Sequence, residues 1–272
     1  MMVNLLPLRL PPCKKRVMKV KRISLSLISM VLMLLAAADG HAMDVEGPTP
    51  EKPVALVADP PEVILEDFAS YSKEIYESLE DSDLNFKAFE TALKGFVKLQ
   101  LENQIDNTTY LTVIDMSRSA NEHRFFLINL AERRIELKSV VAHGRNSGGE
   151  YARHFSNKEG SFKTSLGFYR TAETYHGKHG LSLRLDGLES SNDNARDRAI
   201  VIHAADYVSQ KFIETYGRLG RSLGCPSLSR EDFDKVVHKI KNGTLLFIYY
   251  PEENYFSTSA IANHRFAWET NG

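Results

Sequence analysis

Cys225 and His203 are the two side chains whose chemistry stands out in the sequence. The chain has two cysteines, Cys13 and Cys225. Cys13 falls in a segment that reads as a removable leader, which would leave Cys225 as the single thiol of the mature protein. Cys225 follows Arg221-Ser222-Leu223-Gly224 and precedes Pro226. Glycine lets the backbone take unusual angles and approach a ligand closely, and proline stiffens the exit. A lone cysteine is most often a small buried hydrophobe. Reactivity needs a thiolate, and so a nearby base or positive charge. His203 ends the apolar run Ala199–His203 (AIVIH). An imidazole there could take the thiol proton, protonate a leaving amine and deprotonate an incoming one. Its other nitrogen needs an acceptor, and the Ala204 carbonyl is at hand. The N–H groups of Gly224 and Cys225 are candidates to meet a developing oxyanion, where one donor contributes on the order of a hundredfold in rate.

His143, His154, His176 and His179 lie in Gly-rich or polar stretches. His143, His176 and His179, with His203 and Cys225, raise a second chemistry, a zinc-dependent hydrolase. Its support is thin. No HExxH or paired CxxC occurs, and His176-x-x-His179 in a Gly-rich turn is a weak pattern.

The elements that would position these residues follow from periodicity. Asp59-Pro60-Pro61-Glu62 reads as a helix start. Ile64, Phe68, Tyr71, Ile75 and Leu79 follow at helical spacing. After a break at Asp81-Ser82-Asp83, a second stripe of Phe86, Phe89, Leu93, Phe96 and Val97 runs to about residue 102. The period then changes to two. Strands are expected over 110–116, 124–130, 135–142, 181–185, 199–203 and 244–250, with a polar turn at 131–134. Residues 143–167 read as a loop, and a loop of that length in a compact domain is usually functional. A helix is expected within 206–216. Another follows a capping box at Ser229-Arg230-Glu231-Asp232 and stops at Asn242-Gly243. Strands do not alternate regularly with helices. The expected fold is mainly β (α+β), sandwich-like or barrel-like, with an N-terminal helical extension.

The N-terminus sets the compartment. Residues 1–22 carry seven bases and no acid, and 23–38 (ISLSLISMVLMLLAAA) form an apolar run ending in small residues. This pattern is that of a secretory signal cleaved after Ala38 or Ala42, too short for a comfortable membrane span. An exported, periplasmic protein with no stable membrane insertion after cleavage is expected. Of 34 basic and 35 acidic residues, seven and one lie in 1–42, so 27 and 34 remain for a net charge of −7. That balance disfavours nucleic acid as a partner. A free thiol in an oxidising compartment calls for a reactive role or an intermolecular bond. The expected organisation is a signal at 1–42, a Pro-rich linker at 43–61, helices at 62–105, a catalytic domain at 106–253 and a tail at 254–272.

Arg221-Ser222-Leu223-Gly224-Cys225-Pro226, preceded by Ile202-His203-Ala204-Ala205-Asp206, resembles the catalytic block of the YkuD-type L,D-transpeptidases. It is most similar to the variant murein L,D-transpeptidase catalytic domain group. The resemblance includes Phe155-Ser156-Asn157, Ser165–Tyr169 (SLGFY), Glu173–Gly180 (ETYHGKHG), Ser182–Glu189 (SLRLDGLE) and Asn192–Arg196 (NDNAR), and spans about residues 110–250. It implies a mostly β catalytic domain with Cys225 as nucleophile and His203 as base. It implies attack on the bond between the L-centre of diaminopimelate and the terminal D-alanine of a tetrapeptide stem. A thioester forms, and a second stem's amine resolves it into a 3→3 crosslink. Water would give a carboxypeptidase instead, and a free D-amino acid would give exchange. Carbapenems would acylate the same cysteine, and no metal or cofactor is implied. The sequence departs from the common Ser-His-Gly-Cys form: Leu223 stands at the histidine position, Pro226 follows the cysteine, and the usual downstream arginine is missing. Arg184 and Arg221 are candidates for a stem carboxylate, which a guanidinium can grip with two donors; a structural ion pair is the alternative for each. Ser222, Tyr175, His176 and His179 are further candidates for substrate contact. A non-catalytic peptidoglycan-binding protein is the remaining alternative.

The thiol and zinc readings separate in one assay. Turnover of peptidoglycan stems is expected to survive a chelator and to be lost on treatment with a thiol alkylator; the opposite pattern would favour zinc.

Overall fold

The computed structural model describes residues 65–266 apart from Ser82. The expected signal and linker, the first helix cap near Asp59 and Trp268 lie outside the described residues. Helix α1 (Leu65–Ser78) presents Phe68, Ile75 and Leu79 as a buried stripe. Helix α2 (Phe86–Leu101) begins at Asn85, whose side chain accepts the Ala88 N–H at 3.1 Å. That bond satisfies one of the donors a helix start leaves open. Phe89, Ala92, Leu93, Phe96 and Leu99 face inward, at the spacing the sequence gives for one helix face. Both helices share one core with the strands.

Strands β1 (Tyr110–Asp115), β2 (Phe125–Asn129) and β3 (Arg134–Ser139) form an antiparallel meander. β4 (Gly167–Gly177) and β5 (Gly180–Gly187) make a long hairpin. β6 (Val201–Ala204) pairs antiparallel with β5, and β7 (Ser227–Leu228) pairs parallel with β6. β8 (Leu245–Tyr249) lies parallel to β1 and antiparallel to β4. It is buried along its whole length, as its apolar run predicts for a strand covered on both faces. The sheet order is β3-β2-β1-β8-β4-β5-β6-β7. Its two ends then meet: Ala142, just past β3, bridges to Ser227 with its N–H on the Ser227 carbonyl at 2.9 Å. The mainly β, barrel-like class expected from the sequence is the one observed.

Several elements differ from expectation. β4 is a strand of eleven residues where none was expected. Its register shifts between Thr171 and Thr174, which breaks the alternation by which strands are read, and its far end is partly exposed. Residues 175 and 176 therefore lie on a strand, not on a loop. β7 is too short to leave a periodic trace. Helix α3 (Gln210–Tyr216) starts at a Ser209 cap, four residues later than expected. Helix α4 (Arg230–Ile240) has half of its capping box: Ser229 Oγ accepts the Asp232 N–H at 3.1 Å, but the Asp232 carboxylate accepts the Ser139 hydroxyl at 2.6 Å instead of turning back. The tail forms helix α5 (Glu253–Thr258), and Phe266 packs against Phe68 with ring centres 5.1 Å apart. No helix among the described residues is long and apolar enough to cross a membrane.

Helix α2 docks through a notch. A Cβ on Gly95 would overlap the Phe168 ring, with Cδ1 at 2.8 Å, and Phe168 is itself buried and stacked on Phe247 at 4.3 Å. Alanine gains about 1 kcal/mol over glycine in helix propensity, whereas overpacking a fixed core costs about 1–3 kcal/mol. Gly95→Ala is therefore expected to lower unfolding stability by about 1 kcal/mol in a urea titration. A gain in stability would mean that the notch is not tight.

Candidate active site

The site lies where the sheet closes. The turn carrying Cys225 is tied to the chain leaving β3. The Ser222 N–H donates to the His143 carbonyl at 2.9 Å, and the Arg145 N–H donates to the Ser222 carbonyl at 2.8 Å. Within the turn, the Ser222 hydroxyl donates to the Cys225 carbonyl at 2.6 Å and accepts the Gly224 N–H at 3.0 Å. Gly224 has φ +132°, and a Cβ there would stand 3.0 Å from the Lys163 carbonyl oxygen. The turn requires glycine for both reasons.

His203 is the third residue of β6, in register with Ser182 on β5 and Ser227 on β7. It is 3% exposed. Nδ1 lies 2.9 Å from the Ala204 carbonyl and Nε2 lies 2.9 Å from Ser227 Oγ. A carbonyl only accepts, so Nδ1 carries the proton and Nε2 is the basic nitrogen. Burial holds the imidazole below its usual pKa; the bond to Ala204 opposes this, and the charges of His179 and Lys178 add to it. The His179 ring stacks on His203 with centres 4.3 Å apart.

Cys225 is partly buried and its thiol points to the Ala199 carbonyl at 3.6 Å. Ala199 has φ +52°, uncommon outside glycine, and this turns its carbonyl toward the sulfur. Burial pushes the thiol pKa up, against the Val201 N–H and the charges of Arg198 and Lys178. The two residues stand on adjoining segments, yet the hydrogen bonds of each go elsewhere. Burial thus favours the neutral form of both groups.

The remaining expected residues divide. The Gly224 N–H was expected to face an oxyanion but is taken by the Ser222 hydroxyl, because the tight turn closes on itself. Ser222 was expected to touch substrate but is buried as the brace of that turn. Arg184 pairs with Glu173 at 3.1 Å and lies over the Tyr175 ring at 4.2 Å, so the ion-pair alternative is the one realised. Arg221 has no ion pair among the described residues: its guanidinium donates to the Arg145 and Gly148 carbonyls at 3.1 and 2.9 Å and anchors the loop beside the turn. His176 is exposed on β4 and pairs across the hairpin with Leu181. His179, in the hairpin turn, joins the site through its stacking. His143 is fully buried, and its Nδ1 accepts from Arg124 at 2.8 Å. Burial and the Arg124 charge push its pKa down to about 3. No three His, Cys, Asp or Glu side chains come together to hold a metal among the described residues.

Sequence reasoning missed three residues near the chemistry. Ser227 could have been found from its place two positions after Cys225. Tyr207, whose hydroxyl lies 3.1 Å from Ser227 Oγ, left no local signal. Arg198 donates to the Ser156 and Lys163 carbonyls at 2.9 and 2.6 Å and to Ser165, and its charge reaches the Cys225 sulfur.

A family model for the L,D-transpeptidase catalytic domain matches residues 80–249. The chain belongs to this family. The match starts at residue 80, so helix α2 falls inside it and α1 before it. A search of curated proteins returns no match. Among solved structures, an L,D-transpeptidase from Mycobacterium smegmatis aligns at 13% identity and TM-score 0.33, over 52% of this chain and 59% of that one. Thus the chain spans about three-fifths of that protein. An L,D-transpeptidase from Stackebrandtia nassauensis aligns at 13% identity and TM-score 0.33, over 69% and 80%. LdtMt1, solved in complex with imipenem, aligns at 13% identity and TM-score 0.33, over 52% and 59%. At such scores these likenesses say nothing about activity.

The raised thiol pKa has a direct readout. The rate of Cys225 alkylation by iodoacetamide is expected to keep rising with pH beyond the ordinary thiol value, because only the thiolate reacts and burial disfavours it. A plateau reached by neutral pH would mean a preformed thiolate–imidazolium pair.

Proposed function

We propose that the protein is a peptidoglycan L,D-transpeptidase with Cys225 as nucleophile and His203 as base, acting after export. What supports the reading is a buried histidine, held by the Ala204 carbonyl at 2.9 Å, on the strand beside the segment that presents the thiol. The family match and the blocks shared with that family supply the substrate class. The basic stretch and apolar run of residues 1–38 support export to the periplasm.

The first step moves the thiol proton to His203 Nε2 as sulfur leaves the Ala199 carbonyl and the Ser227 O–H turns away from Nε2. The sulfur lone pair attacks the carbonyl between the L-centre of diaminopimelate and the terminal D-alanine. The carbonyl oxygen takes the negative charge. The Gly224 N–H is committed to Ser222, so the Cys225 N–H, which faces its own sulfur, is the donor left to meet that oxygen. The C–N bond then breaks, the leaving amine takes the proton from Nε2, and a thioester remains. A second stem's amine attacks the thioester and gives its proton to Nε2. The C–S bond breaks, the new amide forms, and the proton returns to sulfur. Water in place of the amine gives hydrolysis, and a free D-amino acid gives exchange. A carbapenem would acylate the same sulfur.

Incubation with tetrapeptide muropeptides followed by mass spectrometry tests this. Loss of one D-alanine and formation of crosslinked dimer are expected, both abolished in Cys225→Ala. A folded wild-type protein that releases no D-alanine would falsify the reading.

A further inference from the structure

The hydrogen bonds of His203 continue beyond its own neighbourhood. Nδ1–H donates to the Ala204 carbonyl at 2.9 Å. At the other nitrogen, Ser227 Oγ lies 2.9 Å from Nε2, and the Tyr207 hydroxyl lies 3.1 Å from Ser227 Oγ. Ser227 is fully buried, so water does not compete for its hydroxyl. Tyr207 is itself fixed: its carbonyl accepts the Gly220 N–H at 2.9 Å, and its ring lies where a Cβ on Gly220 would stand, with Cδ2 at 2.6 Å from that position. Burial and the neighbouring Cys225 charge raise its pKa, although the bond to Ser227 opposes them, and the phenol stays protonated.

The geometry points to a positioning relay: the Ala204 carbonyl sets the tautomer, and Ser227 and Tyr207 hold the His203 ring in one orientation and serve it in both protonation states. The inference rests on the reading of His203 as the base. In the neutral state Nε2 has a lone pair, so the Ser227 O–H donates to it and the Tyr207 O–H donates to Ser227 Oγ. To take the thiol proton Nε2 must first be free of the Ser227 O–H, which turns to the Tyr207 oxygen. The new Nε2–H then has Ser227 Oγ as an acceptor. A hydroxyl both donates and accepts, so the chain reverses direction with no heavy atom displaced. A cationic side chain at position 227 could only donate and would oppose the imidazolium. An alanine there would leave Nε2 without that partner in a dry site.

Ser227→Ala, Ser227→Thr and Tyr207→Phe test the relay in the full chain by two measurements. Long-range ¹H–¹⁵N spectra of the imidazole report the tautomer and need no substrate. D-alanine release from tetrapeptide muropeptides reports the rate. The wild type is expected to show a single Nδ1–H tautomer for His203. Ser227→Ala should show a shifted Nε2 resonance and release D-alanine about tenfold more slowly, the size of one lost buried hydrogen bond. Ser227→Thr should restore both, and Tyr207→Phe should fall between. An unchanged Nε2 resonance with an unchanged rate in Ser227→Ala would overturn the relay. So would a threonine variant as impaired as the alanine one, provided it unfolds at the wild-type temperature. If the wild type releases no D-alanine at all, the transpeptidase reading fails, and the spectra alone still decide whether Ser227 and Tyr207 hold the ring.

Discussion

The hydrogen bond from the Ala142 N–H to the Ser227 carbonyl, 2.9 Å long, joins the two ends of the strand order. Most of the candidate site hangs from that joint. Ala142 leads straight into His143, whose carbonyl holds the Ser222 amide, and Ser222 folds the turn that ends at Cys225. On the other side Ser227 sits in register with His203. An open sheet would keep Ser227 beside His203 through the β6–β7 pairing but would leave the turn of Cys225 without its anchor on His143. Closure also satisfies backbone groups that an edge strand would expose.

The joint is backed by buried charge. Arg124 is fully buried; it donates twice to the Val141 carbonyl, at 3.0 and 2.7 Å, once to the Arg118 carbonyl and once to His143. A guanidinium out of water is tolerated only when its donors are spoken for. Burial lowers its pKa to about 9, with Asp115 as the opposing charge. His143 receives from it and so stays neutral, its carbonyl free to hold the turn. This cluster explains why His143 sits in the core as a structural residue.

The strands with regular alternation or unbroken apolar runs were legible in the sequence, as were both N-terminal helices. Their signals are local, and burial on one face enforces them. β4 was not legible because its bulge hides the alternation that a flat strand would show. In the site, Cys225, His203 and the Ala204 acceptor could be read from residue type and local position. The capture of the Gly224 N–H by Ser222 could not, because it depends on how tightly one turn closes. Arg184 was undecided for the same reason: its partner Glu173 lies on the neighbouring strand, and pairing across a sheet is set by register. Tyr207 is twenty residues from Ser227, and no pattern in a single sequence links them.

The place of β8 has a consequence for how the chain acquires its shape. The strand at Leu245–Tyr249 separates β1 from β4, so the middle of the sheet is made from the last strand in chain order. Neither flank can complete its pairing until that segment arrives. Pairings this distant in sequence are slow to form, since the entropy of closing a long loop is lost before any contact compensates it. The sheet therefore stays in two parts until its last strand in chain order pairs, and its centre is the last piece to form.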